Sequence, residues 1–154
     1  MGSYRQQINM CKISEVTIKD LPKINDLENQ LNLNKTKLNF FKQTSSNKNF
    51  KFIKLVVEKQ IIGLLQFSLN KSDCDIISIG VTQKFQKMGH GKLLVEYLKS
   101  LNLKNIFVEV STNNINAINF YHHLNFSKIG LRKNYYKKHR SDALLLKLEN
   151  VIPL

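Results

Sequence analysis

Apolar positions along the chain recur at two spacings, and the switches between them mark out the elements. Ile8 to Val16 reads as a first strand that closes on "TIKDLPKIND". There Asp20 is placed to cap a helix, and Pro22 is tolerated within its first turn. Ile24, Leu27 and Leu31 then return at helical spacing, predicting an amphipathic helix. "LNKTKLNFFKQTSSNKN" predicts a short helix around Leu38–Phe41, followed by a polar loop through Ser45, Ser46 and Asn47. In "FKFIKLVVEKQIIGLLQFSL", β-branched and aromatic residues flank a short polar break at Glu58–Gln60, the pattern of two antiparallel strands. "DIISIGV" (Asp75–Val81) predicts a buried strand.

The helical period returns after "QKFQKMGHGKLL" (Gln83–Leu94), with Leu93, Leu94, Tyr97, Leu98 and Leu101 as its apolar set. "KNIFVEV" (Lys104–Val110) reads as a strand whose alternation is broken only by its acid. "NINAINFYHHL" reads as a helix with Ile115, Ile118, Phe120, Tyr121 and Leu124 on its apolar side. "NFSKIGLRKNYY" and "DALLLKLENV" finish as two strands around a basic loop at Lys137–Ser141. This order predicts one α/β domain over residues 1–154, with a mixed, mostly antiparallel sheet of about six to seven strands and about four helices. No internal repeat or linker interrupts it.

Composition narrows the class. With 42% hydrophobic residues the chain carries a real core. A formal charge of +13 points to acidic partners, and nucleic acid, a ribosomal surface or a polyphosphate cofactor would all feel that field. The positive charge is diffuse, which favours a solvated surface over a dedicated binding stripe. No basic run is interleaved with aromatics in the manner of single-strand binders, and no specific nucleic-acid partner is expected. Cys11 and Cys74 are far apart and lack CxxC spacing, and His90, His122, His123 and His139 lack HExxH spacing. Thiols without a metal site are expected. His90, His122 and His123 read as exposed helix residues. The first ten residues lack the apolar core of a signal peptide, and no apolar run reaches the about 18 residues of a membrane span. A cytoplasmic protein, monomeric or weakly dimeric and without membrane contact, is the expectation.

Gly89 and Gly91 sit one residue apart where a helix must begin. A helix N-terminus leaves main-chain N–H groups without internal partners, and its dipole is positive. Glycine permits positive φ and lets foreign atoms approach the backbone. Strand, Gln86-x-x-Gly89-x-Gly91, then helix is therefore a cradle for phosphate or diphosphate, with Lys87 and Lys92 beside it. The alternative is a plain strand-to-helix turn. GxxxxGK[ST] is absent, and GxGxxG would need glycine at Leu94, so neither a Walker loop nor a dinucleotide fingerprint is present.

Together with "FVEV", "NNINAINFY", "NF" and "LRKNYY" in this order, the segment over about residues 76–148 resembles the GCN5-related N-acetyltransferase (GNAT) superfamily. Within it, the segment is most similar to the bacterial ribosomal-protein-alanine N-acetyltransferases. The first 75 residues fit that fold but match weakly. The resemblance implies a cradle for the diphosphate of acetyl-CoA, the acetyl donor. Gln86, Lys87, Met88, Gly89, His90 and Gly91 would then supply loop amides, and Lys92 would open the helix. It implies that Val81 meets the acetyl group and pantetheine through its backbone, and that Asn114 faces the cofactor. It makes Glu109 the general base, Tyr121 the general acid, and Tyr135 and Tyr136 part of the acceptor groove. Each has a plainer alternative: Glu109 as a solvent-facing acid, Tyr121 as a core aromatic, the tyrosine pair as packing on the sheet. Phe107 and Glu109 share a strand face by alternation.

The chain departs from the family pattern in three places. Asn125, in Leu124-Asn125-Phe126, stands where the family has glycine, and asparagine tolerates the left-handed conformation the turn needs. Ser111 replaces an arginine that often follows the Glu-Val pair. The proline-tryptophan feature of the first two helices is missing from Asn32–Phe41, and the chain has no tryptophan. The resemblance implies acetylation of a protein N-terminal α-amine, with a ribosomal protein as acceptor. The alternatives are acetylation of a lysine or small-molecule amine, and a non-catalytic CoA- or nucleic-acid-binding module.

Overall fold

The computed structural model describes residues 10–137 and 140–150. Ile8 and Asn9 of the first predicted strand, and Lys138 and His139 of the basic loop, lie outside them. Among the described residues run seven strands: β1 (Cys11–Glu15), β2 (Phe50–Val57), β3 (Gln60–Asn70), β4 (Asp73–Val81), β5 (Asn105–Ser111), β6 (Ser127–Tyr136) and β7 (Ser141–Glu149). Four α-helices accompany them: α1 (Leu21–Gln30), α2 (Leu38–Ser45), α3 (His90–Lys99) and α4 (Ile115–His123). The sheet order is β1-β2-β3-β4-β5-β7-β6. β4 and β5 run parallel, whereas β1–β2, β2–β3, β5–β7 and β6–β7 are antiparallel. The predicted α/β class and mixed sheet are what forms. The chain divides into two compact units, residues 1–68 with 77–97 and residues 69–76 with 98–154.

In the first unit, the β2–β3 hairpin turns on Glu58 (φ 48°) and Lys59 (φ 66°). Two left-handed residues between Val57 and its partner Gln60 make the primed turn whose twist matches the strands, here without glycine. Leu21, Ile24 and Leu27 of α1 pack with Val16, Phe41, Phe52 and Leu64 into one buried cluster. Asp20 stands at the α1 N-cap, but its carboxylate turns backward. Oδ2 accepts from Thr17 N (2.7 Å), Thr17 Oγ1 (3.0 Å) and Lys54 Nζ (2.7 Å). α2 runs past Phe41 to Ser45, longer than predicted. The Thr44 and Ser45 hydroxyls donate to the Phe40 and Lys42 carbonyls, so polar residues continue the helix rather than leave it.

The segment after α1 is fastened by a buried acid. Glu28 is 1% exposed. Its Oε1 accepts from Asn25 Nδ2 (2.9 Å) and Thr36 N (3.0 Å), and its Oε2 from Thr36 Oγ1 (2.7 Å). Gln66 of β3 donates to the same hydroxyl (3.0 Å). Such saturation is what makes a buried carboxylate tolerable. It sets Leu31 close enough to β4 that a Cβ on Gly80 would lie 2.5 Å from Leu31 Cδ1. β4 is not buried throughout, as its apolar run had suggested. Cys74 and Ile76 are buried, while Ile77 is 53% exposed. α3 buries Leu94, Val95 and Leu98. It ends at Lys99, so Leu101 lies beyond the helix it was predicted to join.

In the second unit, β5 alternates strictly, with Ile106, Val108 and Val110 buried and Phe107 and Glu109 on the half-buried face. α4 buries Tyr121 and leaves Ile115 exposed. It closes with Asn125 left-handed (φ 69°). Asn125 N donates to His122 O (3.0 Å) and Phe126 N to Tyr121 O (3.0 Å). This is a Schellman closure with asparagine in the usual glycine place, so the turn survives the substitution. No helix among the described residues is long and apolar enough to cross a membrane.

Burial acts to raise the Asp20 carboxyl, but the bonds from Lys54 and Thr17 outweigh it and hold it below its ordinary value. A depressed carboxyl stabilises the fold above the unfolded value of about 4 and ceases to as pH falls through the folded one. Urea denaturation of Asp20→Asn is therefore expected to show a loss of about 1 kcal/mol at pH 7. The gap from the native protein should narrow below about pH 4; a gap that widens there contradicts the assignment.

Candidate active site

In the first unit, β4 delivers the chain at Val81 into a 3-10 turn (Gln83–Phe85), and α3 begins five residues after that turn. Between them Lys87 (φ 61°) and Gly89 (φ 87°) are both left-handed. Two side chains staple the turn. Gln86 Nε2 donates to Val81 O (2.8 Å). His90 Nδ1 lies 3.0 Å from Phe85 O. A carbonyl only accepts, so Nδ1 carries the proton. The His90 ring also meets Phe85 edge-on at 5.6 Å. His90 was predicted exposed and is instead 2% exposed, because this bond and ring contact draw it inward. Its Nε2 is buried without a partner among the described residues.

The main-chain amides explain what the staples hold. Gln86 N is already used, donating to Gln83 O (3.2 Å), so Gln86 contributes through its side chain rather than as a free loop amide. Leu93 N reaches back to Gly89 O (3.1 Å). The intervening amides, from Lys87 through Lys92, find no main-chain acceptor among the described residues. These amides include those of Met88, Gly89 and Gly91, and Lys87 and Lys92 are exposed beside them. Unsatisfied amides and free ammonium groups at a helix start fit an anionic group, and a diphosphate in particular. The Val81 carbonyl accepts from Gln86, which ties the strand end to the turn.

In the second unit, Glu109 Oε1 lies 3.3 Å from Arg132 Nη2. Glu109 is 30% exposed at its side chain and Arg132 56%. The guanidinium also stands over Tyr135, 5.6 Å from the ring centroid, and Tyr135 packs at right angles on Tyr136 at 5.1 Å. A register shift between Arg132 and Tyr136 frees this stretch of β6. Asn134, left-handed at φ 53°, fixes it by donating its N–H to Asp142 Oδ1 (2.7 Å). Burial, then the Glu109 carboxylate, then Tyr135 push the Tyr136 phenol above its ordinary value. Arg132 was not singled out by sequence. The signal was a cation three residues before a tyrosine pair, but only the register places it on Glu109.

On α4, Tyr121 is buried between the rings of Phe120 and Phe126, each 5.1 Å away. Burial holds its phenol far above the ordinary value, so it keeps its proton at any working pH. Asn114 caps α4, its Oδ1 accepting from Ala117 N (3.1 Å). Only its NH₂ is left to face a ligand. Ser111, in the place of the family's arginine, pairs with Ser141 (Oγ to Oγ 2.8 Å) and accepts from Asn113 N (3.2 Å). Both cysteines are thiols. Burial first, then Asp75, pushes the Cys74 thiol up to about 12, which removes it as a nucleophile. Among the described residues no three His, Cys, Asp or Glu side chains gather as a metal site would need.

The model of the Acetyltransferase (GNAT) family matches residues 18–126, and the chain belongs to that family. It is an N-acetyltransferase. The match reaches further toward the N-terminus than the motifs alone and stops before β6. The chain is 26% identical over 133 residues to the ribosomal protein bS18-alanine N-acetyltransferase of Haemophilus influenzae, covering 84% of this chain and 90% of that one. It is 29% identical over 124 residues, 63% of its length, to N-alpha-acetyltransferase 60 of Xenopus tropicalis, of which it spans only about half (51%). The crystal structure of the ribosomal-protein-S18-alanine N-acetyltransferase from Escherichia coli shares the fold, with a TM-score of 0.80 at 22% identity over 94% of this chain and 97% of that one.

If Gln86 and His90 are the staples of the turn, Gln86→Ala and His90→Ala should each speed exchange of the bonded Gln86 and Leu93 amides about tenfold. Exchange in β5 and β7, read in the same mass-spectrometric experiment, should not move. Unchanged exchange in the turn would show that the staples are incidental.

Proposed function

We propose that the protein transfers the acetyl group of acetyl-CoA to the α-amino group at a protein N-terminus, with a ribosomal protein as acceptor and the cytoplasm as its location. One observation carries the choice of acceptor. Glu109 is a lone carboxylate already shared with Arg132 and flanked by Tyr135 and Tyr136. A polyamine would call for several free carboxylates, whereas Glu109 is already paired with a cation. A tyrosine pair beside one acid suits a peptide, whose backbone and side chains offer hydrogen bonds and apolar surface in place of repeated charge. The names of the two relatives, one an N-alpha-acetyltransferase and the other specific for a ribosomal protein's alanine, support the same reading.

The residues divide the chemistry. The unsatisfied amides from Lys87 to Lys92, with the two lysines, hold the diphosphate, and the Asn114 NH₂ donates to the cofactor. When bound, acetyl-CoA supplies the acetyl group as an activated thioester. A protein α-amine, with a pKa near 8, is mostly ammonium at neutral pH and cannot attack as such. The Glu109 carboxylate takes the proton from the α-nitrogen, a contribution of about 10²–10⁴-fold. The Tyr121 hydroxyl, kept neutral by burial, holds a proton for the departing thiolate.

Radiolabelled acetyl-CoA offered with a peptide bearing both a free N-terminal alanine and an internal lysine tests the reading. Label is expected on the α-nitrogen; label confined to the lysine side chain would sink it. Glu109→Gln is expected to lower kcat by about 100-fold or more while leaving KM for acetyl-CoA within about twofold.

A further inference from the structure

Arg132 reaches Glu109 from a strand that does not pair with β5. Glu109 is in register with Leu145 of β7, and Arg132 with Ala143 two residues along the same strand. The guanidinium therefore crosses β7 diagonally to put Nη2 3.3 Å from Glu109 Oε1. It is held at its other side by the Tyr135 ring, 5.6 Å from the centroid, and Tyr135 is held by Tyr136. The opposing residue on β7, Leu145, is apolar, so the ion pair described for Glu109 is the one with Arg132, with the Tyr136 phenol nearby.

An arginine keeps its charge at every working pH, and its planar fork orients a carboxylate as a lysine does not. A bare carboxylate would draw in any polycation. One already paired with a guanidinium offers an amine a proton acceptor with little net charge. A second ammonium on the acceptor, close to the reacting one, meets the guanidinium instead, and like charges in apposition disfavour binding. We propose that Arg132 is a positioning and specificity-determining residue, which orients the Glu109 carboxylate and selects singly charged amines over polyamines. The proposal rests on the reading of Glu109 as the base.

The test compares acetyl transfer to an alanine-led peptide and to spermidine by native protein, Arg132→Met and Arg132→Lys. In Arg132→Met, kcat for the peptide should fall about fivefold, with KM for acetyl-CoA unchanged. The ratio of kcat/KM for spermidine over peptide should rise about fivefold or more. Arg132→Lys, which keeps the charge, should hold the native ratio within about twofold while failing to restore kcat fully. Arg132→Gln carries the same expectation as Arg132→Met if the latter lowers the melting temperature. Peptide transfer by all variants with an unchanged ratio overturns this proposal alone. No transfer to peptide by the native protein overturns the reading of function, and this proposal with it.

Discussion

The turn between β4 and α3 must start a helix within a few residues of a strand end while leaving its first amides unbonded. That constraint organises the first unit. Unsatisfied amides are costly unless something meets them, and the chain spends two side chains, Gln86 and His90, on keeping them in that state. Glycine at 89 supplies the left-handed step, and Lys87 takes a second such step at a position where a non-glycine residue is strained. Strain of this kind persists only where the surroundings enforce it. The buried Glu28 network and the close approach of Leu31 to Gly80 hold the approach to the strand end from the other side.

The second unit encloses a phenol and leaves a carboxylate partly in water beside a cation. Burial alone keeps the Tyr121 phenol protonated, its ring enclosed by two phenylalanines. Glu109 is kept half in water and given a cation.

Much of this was legible in the sequence, and the exceptions have physical causes. Apolar periodicity, apolar runs and polar breaks together located the seven strands and four α-helices among the described residues, though not the two short 3-10 turns. The hairpin at Glu58–Lys59 was read from its polar break, although its left-handed pair was not. Asn125 was read correctly as a glycine substitute. The extent of α2 was missed because hydroxyls that look like loop formers can bond back to the helix. The exposure of Ile77 was missed because an apolar run does not say which of its faces is covered. His90 was misread because a polar residue between two glycines gives no sign of the Phe85 carbonyl that draws it inside. Arg132 was missed because its partner is two strands away in the sheet order, a relation visible only in the register.

The account's central claim is that the β4–α3 turn is a diphosphate cradle, and calorimetry tests it most directly. Acetyl-CoA and S-acetylpantetheine share the thioester and differ in the diphosphate and the phosphorylated nucleoside beyond it, so the salt dependence and the lysine replacements isolate the diphosphate's share. The account predicts that acetyl-CoA binds about 100-fold more tightly or better, with an affinity that falls as salt rises. Equal affinities, or a difference that survives replacement of Lys87 and Lys92 and is insensitive to salt, would contradict it.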